Sequence, residues 1–183
     1  MSLNIDNPFD LYPDPARDSN ASHPATTTLL AAFALYLKPK LVVEAGTYHG
    51  RTSITLAKVL RTCNVEFHIH TAEILPNFIA IARENIERNG VAEHITIHEG
   101  DYLDMLAGLA GAIDFAYIDG GVRWPMIEAT LPKMDRQGFI FVDDTATVWG
   151  DRSGYDSTLA AAGIRLHGNR GLAIIAAEDH VRS

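Results

Sequence analysis

Residues 41–60 read LVVEAGTYHGRTSITLAKVL: an apolar run that ends in an acid, a loop punctuated by two glycines, and then a helical pattern. Gly46 and Gly50 permit a tight turn and close backbone approach, and the helix that follows starts with unsatisfied N–H groups. Together these make a strand–loop–helix floor for a nucleotide-like cofactor. The spacing is E-x-G-x-x-x-G, so the dinucleotide fingerprint G-x-G-x-x-G is absent. Glu44 would repel a pyrophosphate but accept hydrogen bonds from an amine or hydroxyl, which favours a cofactor with a cationic amino-acid end over NAD. Thr47 and Ser53 on the same loop read either as ligand contacts or as local helix caps.

Outward from this segment, the chain alternates strand-like and helical runs. A helix over 27–39 ends near Pro39; strands read over 65–74, 94–101, 113–121 and 138–145, with helical patterns over 76–90, 103–111 and 125–134 between them. The tail carries a helical pattern over 155–163 and two apolar runs, 164–168 and 171–178, that suit an antiparallel pair. An open α/β sheet accounts for this order. Residues 1–23 have three prolines and no persistent period, so they read as a flexible arm or lid with an apolar anchor at Leu11 and Tyr12, leaving 24–183 as one domain.

Composition narrows the function. A chain of 183 residues, 47% of them hydrophobic, holds one sizeable core. The net charge of −8 argues against broad binding to nucleic acid or an anionic membrane. Cys63 is the only cysteine, which excludes an intrachain disulfide or a cysteine-rich zinc site and is compatible with a cytoplasmic setting. There is no secretory pattern and no apolar span of about 18 residues, so no membrane partner is expected.

The acids fall at strand ends: Glu44, Glu73, Asp101, Asp119, and the pair Asp143 and Asp144. In an open α/β sheet such positions face one crevice. Glu73 suits two ribose hydroxyls, and Asp101 suits the adenosine base from the adjacent loop. Asp119, Asp143 and Asp144 are hard oxygen donors suitable for Mg²⁺, with metal-free substrate or cofactor contacts and noncatalytic capping or surface solvation as the alternatives. Arg123 and Trp124 suit an anionic or aromatic acceptor, or else a local ion pair and helix packing; Trp149 and Tyr155 are candidates for the acceptor wall. His49 reads as an acid/base or substrate contact, or as loop packing. The pair His68 and His70, with His98 and Cys63, reads as packing.

VVEAGTYHGRTS, TAEI, EGDYLDML, AYIDGG, GFIFVDDT and the final GLAII occur in an order that resembles the class I S-adenosylmethionine-dependent methyltransferases, in their small-molecule O-methyltransferase branch. The resemblance covers approximately residues 24 to 177. It implies a Rossmann-like domain with a mostly parallel seven-stranded sheet, an antiparallel last strand and flanking helices. It also implies that Glu44 and the glycine loop hold the methionine portion of S-adenosylmethionine, Glu73 the ribose and Asp101 the adenine side. Metal-dependent relatives carry an acid after the fourth strand and an acidic or amide pair after the fifth, which Asp119, Asp143 and Asp144 match.

One position departs from that pattern. Val122 stands where metal-dependent relatives place a lysine or histidine base, and valine cannot accept a proton. Metal activation of an acidic hydroxyl, Asp119, or His49 could compensate. The expectation is therefore O-methylation of a small-molecule hydroxyl, with S-adenosylmethionine as donor and Mg²⁺ as a candidate aid. A catalytically impaired S-adenosylmethionine-binding protein, a nicotinamide oxidoreductase and a pure interaction domain are the alternatives. A homo-oligomer such as a dimer is expected too, because the short arm leaves the acceptor pocket hard to close within one subunit.

Overall fold

The computed structural model describes residues 22–121, 123–143, 161–165 and 171–177. In chain order the elements are α1 (Pro24–Leu37), β1 (Leu41–Ala45), α2 (Arg51–Thr62), β2 (His68–Glu73), α3 (Pro76–Arg88), β3 (Ile95–Glu99) and α4 (Tyr102–Gly108). They continue with β4 (Ile113–Ile118), α5 (Arg123–Thr130), β5 (Met134–Val142), β6 (Ala161–Arg165) and β7 (Gly171–Ala176). Trp149, Tyr155, Asp144 and Val122 lie outside the described residues, as do residues 1–21 of the expected arm.

The strands form a seven-stranded sheet in the order β3-β2-β1-β4-β5-β7-β6. Strands β1 to β5 pair in parallel, and β7 runs antiparallel to both β5 and β6. This is the Rossmann-like α/β architecture expected, with the antiparallel strand brought in by the β6–β7 pair. The order reverses between β1 and β4, which opens a crevice at the carboxyl ends of those two strands.

Strand periodicity explains how both faces are covered. Along β1, Val42 packs into a cluster with Leu30, Ile54, Leu60, Phe115 and Phe141, while Val43 and Ala45 join Ala116, Ile118 and Val142 on the opposite face. Phe141 anchors the first cluster, 4.5 Å from Phe115 and 5.0 Å from Phe33 between ring centroids. Helix α1 starts where the His23 ring accepts a hydrogen bond from the Ala25 N–H, with Pro24 at its first position, and it stops at left-handed Lys38 just before Pro39. No helix of the described residues is long and apolar enough to cross a membrane.

Most expected boundaries move by a few residues, and three departures are larger or change the element. The helical pattern over 103–111 forms a helix only over Tyr102–Gly108, capped by Asp101. The strand expected over 138–145 begins earlier, at Met134, which pairs with Ile113 of β4, while residues 135–138 fall in the register shift before Phe139 pairs with Phe115. A Cβ on Gly138 would lie 2.8 Å from the Ile113 carbonyl oxygen, where the register of that pairing shifts. Residues 155–160 of the helix expected over 155–163 lie outside the described residues, and Ala161, Ala162 and Gly163 are strand instead, paired with β7. Alanine favours helix in isolation, and ladder partners override that preference here.

Candidate functional site

The carboxyl ends of four strands are laced together by backbone hydrogen bonds. The N–H groups of Gly46 and Thr47 both donate to the Ala72 carbonyl at 3.1 Å, and those of Asp119 and Asp143 donate to Ala45 and Ile118 at 3.0 Å. Gly46 has φ of +93°, and a Cβ there would come within 3.1 Å of the Asp119 carbonyl oxygen. Only glycine lets the loop after β1 pass this close to the end of β4.

Beside this crossing lies a cavity of about 660 Å³ with Gly46, Glu73, Asp101 and Asp119 in its lining. Leu75, Phe78, Leu103 and Met126 supply apolar walls. Glu73 is buried, and its carboxylate is held by backbone donors: Tyr48 N–H at 2.8 Å on Oε2, and Ile74 and Leu75 N–H at 3.0 Å on Oε1. Three hydrogen bonds to an anion fix its position at the rim of the glycine loop. Asp101 accepts the Leu103 N–H at 2.7 Å as the N-cap of α4, and so lines the cavity while starting a helix.

Glu44 does not line this cavity, contrary to the expected direct contact. It sits on the Val42 side of β1, beneath α2, where its Oε2 accepts hydrogen bonds from Ser53 and, at 2.6 Å, from Thr71. Burial pushes its carboxyl up to about 7, and the two hydroxyls only partly offset this. Ser53 is thus committed to Glu44, and Gly50, at φ +81°, is the cap of α2; both support the loop from behind. Thr47 is 2.6 Å from Thr71 through their hydroxyls and lines a small adjoining recess with Ser22, His49, Arg51, Thr52 and Asp119. In that recess the His49 ring stacks on Tyr48 at 3.8 Å.

The β4 end of the cavity is built from side chains. Asp119 Oδ2 accepts from the Ser22 hydroxyl at 3.0 Å, and the buried Tyr117 hydroxyl lies 3.1 Å from the same oxygen and 2.8 Å from Asp143 Oδ2. Tyr117 has one proton to donate, and the shorter contact assigns it to Asp143. Burial holds this phenol well above its ordinary range, so it stays protonated. Arg123, the first residue of α5, forms an ion pair with Asp119, Nη2 to Oδ1 at 3.7 Å. Trp124 packs against the core cluster of Ile118 and Ile127, the structural one of its two readings.

Asp119 and Asp143 are therefore brought together, while Asp144 lies outside the described residues. Among the described residues no group of three or more His, Cys, Asp or Glu is placed to hold a metal ion. Two of the three expected donors are described, and a divalent cation at Asp119 would meet a cation already there. These two carboxylates are joined through one phenol, with a guanidinium against the nearer one. Toward the β3 edge of the sheet, His70 and His98 hydrogen-bond to each other at 2.9 Å and His68 meets Thr96 at 2.8 Å, and none of them lines the cavity.

Sequence reasoning missed Tyr117, Ser22, Thr52 and Thr71. The first had a signal: it stands two residues before Asp119 and so shares its face of the strand. Ser22 had none, because 97 positions separate it from Asp119.

Residues 43–145, more than half of the chain, match the sequence family described as "Methyltransferase domain", and the chain belongs to that family. It is 29% identical over 99 residues to the O-methyltransferase hkm8 of Aspergillus hancockii, covering 54% of this chain and 38% of that protein. It is also 29% identical over 123 residues to the catechol O-methyltransferase of Mycobacterium tuberculosis, covering 63% and 52%. The chain thus spans about half or less of these relatives' own lengths. Among solved structures, the O-methyltransferase TomG from Streptomyces achromogenes, in complex with SAM, superposes with a TM-score of 0.73 at 20% identity over 87% of this chain and 83% of that one. At that identity the likeness establishes the shared fold.

Proposed function

We propose that this chain transfers a methyl group from S-adenosylmethionine to the hydroxyl oxygen of a small molecule. The observation that carries the reading is one cavity at the β1/β4 reversal lined both by Glu73, with its carboxylate fixed by three backbone N–H groups, and, across Gly46, by Asp119. Glu73 keeps lone pairs for ribose hydroxyls, Asp101 faces the base, and Leu75, Phe78 and Leu103 offer apolar surface to its ring. Glu44 acts at one remove by holding the glycine loop through Ser53 and Thr71. The catechol O-methyltransferase relative and the SAM-bound structural neighbour support both donor and acceptor class.

Bound S-adenosylmethionine supplies the methyl group from its sulfonium centre. Gly46 and Glu73 set the donor's position, so much of the rate comes from holding the acceptor oxygen in line with that methyl. Asp119 orients the acceptor hydroxyl and takes its proton as the new O–C bond forms, and the donor leaves as a neutral thioether. Mg²⁺ has no assigned step, since the Arg123 guanidinium already stands against Asp119.

Isothermal titration with S-adenosylmethionine, with NAD as control, tests the cofactor half. Saturable binding selective for S-adenosylmethionine is the expected result; preference for NAD would sink the reading. A second reading, a cofactor-binding protein without efficient catalysis, is favoured by Val122 alone. Turnover of S-adenosylmethionine on any member of a phenol and catechol panel would remove it.

A further inference from the structure

We propose that Arg123 is the resident cation of the acceptor site, standing against Asp119 where a divalent ion would bind, so that methyl transfer in this chain needs no metal. The proposal rests on the methyltransferase reading for its chemistry, but its physical core concerns Arg123 and Asp119 alone. The Arg123 side chain is 10% exposed and the Asp119 side chain 17%, so the pair sits in a mostly water-excluded place. A cation within about 4 Å of Asp119 Oδ1 repels a second cation seeking the same oxygen, and the repulsion is strong where water screens poorly. The other oxygen of Asp119 faces the Ser22 and Tyr117 hydroxyls, and the Asp143 Oδ2 atom takes the Tyr117 proton. Protein donors therefore already meet the carboxylate pair from two sides.

The position of Arg123 in its own helix points the same way. It opens α5, where the helix dipole disfavours a positive charge. A locally unfavourable placement that is nonetheless buried beside an acid marks a site built for something other than helix stability. Val122 precedes it in the sequence, at the position where the resemblance implies a lysine or histidine base. An arginine cannot replace that base, because it stays protonated, but it lowers the cost of negative charge on a nearby oxygen. The acceptor this favours has an acidic hydroxyl, a phenol rather than an aliphatic alcohol, since only a phenol approaches the anionic form without a metal or a strong base.

The test uses Mn²⁺ alone as probe, followed by electron paramagnetic resonance on the full chain, with S-adenosylmethionine titrated into the same samples. Wild type and Arg123→Lys, which keeps the charge, are expected to bind Mn²⁺ weakly. Arg123→Met is expected to bind it at least ~10-fold more tightly, because removal of the guanidinium unmasks the carboxylates. Tight Mn²⁺ binding by wild type, or no gain in Arg123→Met, overturns the proposal; Arg123→Gln serves if the methionine variant melts early. With a turned-over phenol, activity should survive EDTA within about 2-fold, and restoration of an EDTA loss by Mg²⁺ also overturns it. Failure to bind S-adenosylmethionine would instead defeat the methyltransferase reading, and the Mn²⁺ comparison would still decide the role of Arg123.

Discussion

The two ends of the cavity are held in different ways. At the β2 end, Glu73 is fixed by three backbone N–H groups, all within the glycine loop or the two residues after Glu73 itself. At the β4 end, Asp119 is fixed by side chains that come from the segment before α1, from β4 and from α5. Backbone donors are present whatever the side chains are, so the first end tolerates sequence change around it. The second end depends on the identity of Ser22, Tyr117 and Arg123, so its chemistry can change while the fold stays the same.

The largest test of this contrast is Asp119→Asn. It should lower turnover on a phenolic acceptor by about 10²- to 10⁴-fold and leave S-adenosylmethionine affinity within about 3-fold, as read by steady-state kinetics beside calorimetry. A matching loss of donor affinity would mean that the two ends are not separable.

Next comes Glu44, which belongs to neither end but supports the loop between them. Its folded value of about 7 lies above the ordinary 4.5, so the folded state binds the proton more tightly than the unfolded chain. Its contribution is full below the lower value and is lost as pH rises through the higher one, a change of about 3 kcal/mol. Denaturant unfolding at about pH 5 and pH 8 should show that fall in wild type, and Glu44→Gln should flatten it.

At the other end, Glu73→Ala should weaken S-adenosylmethionine by about 1.5–3 kcal/mol, because ribose hydroxyls and three backbone N–H groups lose an ionised partner. Calorimetry that finds no change would place the ribose elsewhere. The smallest effect is expected from Thr130→Val, which removes the partner of the buried Tyr102 hydroxyl at 2.8 Å. It should cost about 1–2 kcal/mol of stability, measured by unfolding, with donor affinity unmoved. A loss of affinity would extend the nucleoside end to the base of α4.

How much was legible follows the same division. The strand-to-loop-to-helix run at 41–60 and the acids at successive strand ends were readable, because periodicity and glycine placement are local properties. The start of β5 and the strand at 161–163 were not, because their conformation comes from ladder partners rather than from their own composition. The acid at Glu44 was read as facing the cofactor, since a strand-end carboxylate has two faces to choose from and the pattern does not say which one α2 will cover.

By itself, then, the sequence determined the α/β class, the order of its elements, the glycine crossing and the set of acids at one sheet edge, all of which depend on spacing along the chain. The tertiary structure alone decided which acids reach the cavity, that Glu44 turns away beneath α2, and that Ser22, Tyr117 and Arg123 converge on Asp119. Ser22 reaches Asp119 across 97 positions, which no local rule encodes, and even the nearby Tyr117 and Arg123 could be assigned to Asp119 only once the packing had fixed which face each side chain takes.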